Sequence, residues 1–268
     1  MTYPKIICLT IFNNEQCYND MKRYNEEYLD FLDKNTTIMT NLKVFYIMYK
    51  KLDNADYLMD GNMLYINGDE NYMPGILNKT ISAMEIITTK LNIEYDFILR
   101  TNASTVINYI ELFKYLNTRN FNLDKQHYYI GPYYNLSWYD YKNGIIDNTH
   151  HGTRFCGGTC MLINKSLIIN IINNKEKLLL NLIDDVSIGQ YINTVENVHE
   201  IDIKELTLFN YDDFIREIPY ILYLNNMNKN NRIIDVVHFR HQIMIIKASF
   251  HNQPKYYKIL KIENQLLF

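Results

Sequence analysis

The sequence predicts an α/β fold, a mostly parallel sheet with helices on its two faces. Short apolar runs of strand length alternate along the chain with segments whose apolar residues recur every three or four positions. That alternation builds a parallel sheet flanked by helices. Across 268 residues there is also no internal repeat, no low-complexity tract and no linker rich in Pro, Gly or Ser. One domain over residues 1–268 is therefore expected.

The elements follow in order. Ile6 to Thr10 is apolar and runs into the polar Asn13-Asn14-Glu15, as a buried strand feeding a loop does. Met21 to Leu32 has helical spacing, with Tyr24, Tyr28, Phe31 and Leu32 on one side. Leu42 to Tyr49 and Asn62 to Ile66 read as strands, the second followed by a turn at Asn67-Gly68-Asp69-Glu70. Ile76 to Leu91 is the clearest helix, because Ile76, Leu77, Thr80, Ala83, Met84 and Ile87 form one stripe. Phe97 to Leu99 is a strand and Ile107 to Leu116 a helix. Tyr128 to Gly131, Gly158 to Ile163 and Val198 to Ile203 read as strands, Ser166 to Ile172 and Asp185 to Thr194 as helices. Ligands of open α/β sheets bind beyond the carboxyl ends of strands, here the loops after Thr10, Ile66 and Leu99.

Composition narrows the function. There are 27 basic and 30 acidic residues, a net charge of −3, so nothing global draws the chain to nucleic acid or anionic lipid. Aromatic residues are 14% of the chain, which suits packing and also stacking on flat or ring-shaped ligands. No apolar run approaches a bilayer span, and the opening residues lack the core and cleavage site of a signal peptide. A cytoplasmic location is expected, without a transmembrane segment. The few cysteines (Cys8, Cys17, Cys156 and Cys160) agree with a reducing compartment. Cys156 and Cys160 are too far apart for the two-residue redox or zinc-ribbon spacing. Asn-x-Ser/Thr triplets at Asn35, Asn78, Asn102, Asn135 and Asn164 arise mostly by chance in so asparagine-rich a chain. The glycine fingerprints of dinucleotide and P-loop sites are missing, as are HExxH and a legible Ser-His-Asp arrangement.

Four constellations remain. Tyr95 to Ser104 runs from an apolar strand into Arg100, Thr101, Asn102 and Ser104, groups that bind ribose or phosphate; the same residues also read as a strand end with Ser104 capping the next helix. Asp184-Asp185 stand between apolar residues at a helix start. They serve either as a cap or, with a raised pKa, as a general base. In Phe155 to Ile163, Gly157 and Gly158 allow close backbone approach to a ligand or a strand. Ile233 to His241 places His238, Arg240 and His241 near a strand end, as metal or phosphate contacts or as structural residues. The adjacent His150 and His151 diverge too much for a metal clip. Pro132 to Tyr139, with Trp138, offers aromatic faces to a ring-shaped ligand, or is a half-buried loop.

Taken together, these segments resemble the fringe and β-1,3-galactosyltransferase superfamily of glycosyltransferases. Asp69-Glu70-Asn71-Tyr72 with Leu77-Asn78-Lys79-Thr80 resembles a degenerate D-x-Y-x-N-L-x-x-K-T segment. Tyr95 to Thr101 is similar to the strand leading into the family's DxD. Phe155-Cys156-Gly157-Gly158-Thr159-Cys160-Met161-Leu162 resembles its aromatic-C-x-G strand, with Lys165-Ser166-Leu167 placed like the residues after it. Asp184-Asp185-Val186-Ser187-Ile188-Gly189 resembles its [ED]-D-V-x-x-G, and His238-Phe239-Arg240 falls where the family keeps a late His. The likeness covers nearly the whole chain. It implies a GT-A (Rossmann-like) domain, with a nucleotide-sugar half over residues 1–125 and an acceptor half over 126–268. It implies an inverting transfer of a hexosyl or N-acetylhexosaminyl group from a UDP-sugar to a glycan hydroxyl. Asp185 is then the base, with Asp184 as fallback. Thr10, Lys79, Arg100, Asn102 and Ser104 fall on the donor, and Trp138, Gly157 and Gly158 on the acceptor.

One departure matters. The family's DxD aligns with Asn102-Ala103-Ser104, poor ligands for a hard divalent cation such as Mn²⁺ or Mg²⁺. Three outcomes stay open. A cation is held weakly by Asn102, Ser104 and His238; or Arg100, Lys79 or Arg240 replaces it; or activity is lost. The last leaves a non-catalytic carbohydrate-binding or scaffold protein as the alternative. A sugar nucleotidyltransferase would need a basic, Gly-rich loop near the N-terminus, and Thr10 to Asn14 is neither.

Overall fold

The structure is a computed structural model and describes residues 3–208, 245–247 and 253–265. In chain order its elements are β1 (Ile6–Ile11), α1 (Gln16–Asn35), β2 (Leu42–Lys50), β3 (Tyr57–Asp60), β4 (Met63–Asn67) and α2 (Gly75–Glu85). Next come β5 (Phe97–Asn102), β6 (Thr105–Ile107), α3 (Tyr109–Asn117), β7 (His127–Gly131), β8 (Tyr133–Asn135), β9 (Arg154–Cys156) and β10 (Met161–Asn164). They are followed by α4 (Lys165–Asn173), α5 (Asp184–Ile192), β11 (Val198–Asp202), β12 (Thr207–Leu208), β13 (Ile245–Lys247) and α6 (Gln253–Gln265).

Eight of these strands form the central sheet, in the order β11-β7-β10-β5-β1-β2-β4-β3. Its middle is parallel. Cys8 of β1 lies opposite Leu99 of β5 and Val44 of β2, and β4 continues parallel to β2. β10 runs antiparallel to both β5 and β7, and β3 closes the far edge antiparallel to β4. The protein is thus an α/β domain on a mostly parallel sheet. Parallel strands buried on both faces need continuous apolar sequence, and Ile6-Ile7-Cys8-Leu9 is buried throughout. Alternation sends Ile6, Cys8, Phe97 and Leu99 to one face, against α1, α3 and α6. Ile7, Leu9 and Ile98 go to the other, against α2, α4 and α5. Among the described residues no helix is long and apolar enough to cross a membrane.

Three expectations are corrected. The buried stripe of α1 is Met21, Asn25, Tyr28, Leu29 and Leu32, with Tyr24 and Phe31 only half-buried. The stripe turns toward Asn25 because that side chain donates to the Tyr46 hydroxyl (2.7 Å) and accepts from the Tyr257 hydroxyl (3.2 Å), joining α1, β2 and α6. The helix expected from Ile107 begins at Tyr109. The β-branched run Thr105-Val106-Ile107 takes extended backbone instead and pairs with β13. Asn108, not Ser104, caps α3 by accepting from the Glu111 N–H. Finally, the strand expected from Gly158 starts at Met161, because Gly157 to Cys160 is a turn closed by the Cys160 N–H to the Gly157 carbonyl (3.1 Å).

Candidate functional site

A cleft of about 550 Å³ opens beyond the carboxyl ends of β1 and β5, where an open α/β sheet is expected to bind ligand. β5 extends to Asn102, so Arg100 and Asn102 are strand residues, two apart and on one face. Opposite them are the Gly157–Cys160 turn and the first turn of α5. Ser104, Tyr72 and Trp138 complete the walls used below.

Arg100 organises the floor, with only 2% of its side chain exposed. Its Nη2 pairs with Asp184 Oδ2 at 2.6 Å, and Asp184 is itself 4% exposed. Its Nη1 donates to Asn102 Oδ1 (2.9 Å) and to the Gly158 carbonyl. A buried arginine needs such partners, since an unpaired buried charge is costly. A Cβ at 158 would stand 2.5 Å from Arg100 Nη1, so a side chain there would displace the guanidinium.

Asp185 points into the cleft. Its Oδ2 accepts from the Gly158 N–H and its Oδ1 from the Val186 N–H, each at 2.9 Å. Removal from water and the neighbouring Asp184 charge push its carboxyl up to about 6, against the pull of Arg100 and these two N–H groups. Tyr72 faces the pair, and burial together with the charges of Asp184, Asp140 and Asp185 raises its hydroxyl above the usual tyrosine range.

Arg100, Asn102, Ser104, Gly157, Gly158, Asp184, Asp185 and Trp138 therefore meet around one cleft. Trp138 is 43% exposed and leans toward Phe155, ring centres 6.0 Å apart. The rest of its segment divides: Tyr133 is buried and hydroxyl-bonded to the Tyr129 carbonyl, whereas Tyr139 is exposed and tilted on His151. His151 also contacts the Trp138 carbonyl (3.2 Å).

Two expected donor residues lie elsewhere. Thr10 alternates to the opposite face of β1, is buried beside Cys8, and lines a small separate cavity with Asn25, Tyr46 and Thr101. Lys79 lines an adjoining cavity of about 270 Å³, which shares Ile11, Tyr18, Tyr72 and Ile76 with the cleft. Its Nζ is committed to both Glu70 oxygens (2.8 and 2.7 Å) and to the Phe12 carbonyl (3.1 Å). Burial lowers its pKa and Glu70 opposes the shift. His238, with Arg240, His241 and the strand expected around them, lies outside the described residues. Sequence reasoning passed over Tyr72 and Glu70 as site residues. Their signal was the Asp69-Glu70-Asn71-Tyr72 turn, an acid and an aromatic at the entry to α2.

The described donors do not suit a hard divalent cation. Asn102 Oδ1 already accepts from Arg100, Asp184 is paired with the guanidinium, and that fixed positive charge repels a second cation. Among the described residues no three His, Cys, Asp or Glu side chains are grouped to hold a metal.

No protein-family model matches the chain, and no curated protein sequence matches it. Among solved structures, the chain is similar to a glycosyltransferase involved in glycosylation of the major capsid of PBCV-1, at 10% identity and TM-score 0.43, covering 96% of this chain and all of that one. It is also similar to the apo form of the glycosyltransferase GlyE of Streptococcus pneumoniae TIGR4, at 9% identity and TM-score 0.42, covering 98% of this chain and 63% of that one.

Proposed function

We propose that the protein is an inverting glycosyltransferase of GT-A type, moving a sugar from a UDP-sugar to a hydroxyl of a glycan acceptor, with Asp185 as general base. The observation that carries the reading is the Asp185 carboxylate. It is fixed by two backbone N–H groups on a cleft wall, with its pKa displaced toward neutrality and an exposed tryptophan on the same cleft. Each carboxylate oxygen keeps a lone pair for an acceptor proton. The acceptor O–H gives its proton to Asp185 as its oxygen attacks the anomeric carbon, and the bond to the diphosphate breaks with its electron pair leaving on the nucleotide. No step is assigned to a metal.

The ionised carboxylate is the active form, so the sign of the pH dependence is fixed. Activity is present above the folded-state pKa and lost as pH falls through it. The acid limb of kcat/KM should centre near 6, well above an ordinary aspartate, in a pH–rate profile. A limb centred at an ordinary aspartate value would count against Asp185. Trp138→Ala should raise the acceptor KM roughly tenfold and leave kcat within about twofold, as loss of a stacking face predicts.

One observation favours a second reading. Among the described residues, the cations lining the cleft and its adjoining cavity are already matched by carboxylates, Arg100 by Asp184 and Lys79 by Glu70. A cleft with its positive charge so consumed also suits a neutral glycan bound without turnover. Calorimetric titration with UDP, GDP and their sugar conjugates, in EDTA and then with Mn²⁺, separates the readings. Tight binding of one nucleotide sugar in EDTA supports the transferase without a cation. Binding only with Mn²⁺ supports the transferase with ligands beyond the described donors. Glycan binding with no nucleotide binding in either condition supports the second reading.

A further inference from the structure

We propose that Arg100 is the positioning residue of Asp185, acting through the Gly158 peptide and through Asp184; this rests on Asp185 being the base. One guanidinium joins three separate elements. It rises from β5, pairs with Asp184 at the start of α5, and holds the carbonyl of Gly158 in the intervening turn. The N–H of that same glycine is the group that donates to Asp185 Oδ2, at 2.9 Å. Arg100 therefore fixes a residue whose other side fixes the base. By pairing with Asp184 it also fixes the residue preceding Asp185 and balances the neighbouring charge that most opposes ionisation of the base.

The surroundings leave Arg100 alone in this role among the described residues. Besides Arg100 on β5, the groups coupled to Asp184 or Asp185 include Tyr72 before α2, Tyr129 on β7 and Lys79 on α2. Tyr72 and Tyr129 carry no charge near neutrality, and Lys79 is bound to Glu70. Arg154 on β9, the strand packed on α5, is turned to Glu200 at 2.6 Å. The Arg100 side chain is 2% exposed and its Nη groups are engaged, so its action on the base runs through Gly158 and Asp184.

Two variants separate position from charge. Arg100→Lys keeps the charge but cannot reach Gly158, Asn102 and Asp184 together. Gly158→Ala keeps every charge but sets a methyl group against the guanidinium. The titration of Asp185 is followed by carbon-detected NMR of labelled aspartate, assigned with Asp185→Asn, a readout that needs no turnover. In both variants Asp185 should titrate higher by about half a pH unit or more. kcat should fall by about tenfold or more, with both KM values within about threefold. A folded Arg100→Lys or Gly158→Ala protein with unchanged Asp185 titration and unchanged kcat overturns the proposal. If neither variant folds, the paired change Arg100→Met with Asp184→Asn leaves no buried charge alone, and the same loss of kcat at unchanged KM is expected. Wild-type kcat in that protein also overturns the proposal. If Asp185→Asn keeps full turnover while Arg100→Lys still moves the Asp185 titration, Arg100 positions a carboxylate that is not the base, and the functional reading alone fails.

Discussion

Asp185→Asn should lower turnover by about 10²–10⁴-fold while the fold and nucleotide binding persist. The change is nearly isosteric, and the side-chain oxygen can still accept one of the N–H groups of Gly158 and Val186 that hold it. What it loses is a site for the proton. The measurement is kcat with saturating donor and acceptor, beside a thermal melt and a nucleotide titration. Turnover within about threefold of wild type, with an unchanged melt, would remove Asp185 from the reaction.

The second large effect concerns stability. Arg100→Met alone should cost about 3–5 kcal/mol, because Asp184 is then a carboxylate without its partner in a place that is 4% exposed. In a domain of this size that is a fall in Tm of roughly 10 °C. Asp184→Ala should cost a similar amount for the converse reason. Arg100→Met combined with Asp184→Asn should recover much of the loss, since replacing a buried pair by neutral groups is often close to neutral. The checking measurement is a double-mutant cycle by denaturant unfolding. Additive single effects, with no recovery in the pair, would show that the two charges do not stabilise one another.

The parallel middle of the sheet was legible because Ile6 to Leu9 and Phe97 to Leu99 are unbroken apolar runs, a pattern peculiar to strands covered on both faces. α2 was legible from its stripe, though the helix widens into a π turn at Ile86–Lys90. The beginning of α3 was not. Thr105 to Ile107 follows a polar turn and leads into a helix, so helical spacing extends backward through it. Only pairing with β13, some 140 residues later, decides for strand. In the site, residue types pointed to Arg100, Asp184 and Asp185, but their division of labour depends on which way each side chain turns. Adjacent aspartates on a helix diverge, and here one meets the guanidinium while its neighbour faces the cleft. Thr10 shows the same limit on a strand: a shift of one residue exchanges the faces, and Ile11 rather than Thr10 lines the cleft.

The loop after β5 has a distant brace. The Gln253 side chain at the start of α6 donates to the Ala103 carbonyl at 2.9 Å, between Asn102 and Ser104, and Thr105 pairs with Lys247. During synthesis, a chain that has emerged through Asp202 already contains every strand of the eight-stranded sheet. The Ile11 carbonyl already holds the Ala103 N–H (3.3 Å), but the Gln253 side chain and the β13 partner of Thr105 are still missing. A ribosome-bound intermediate can thus hold the whole central sheet and still lack this brace. The contact between Gln253 and Ala103 forms only when a segment about 150 positions downstream has docked.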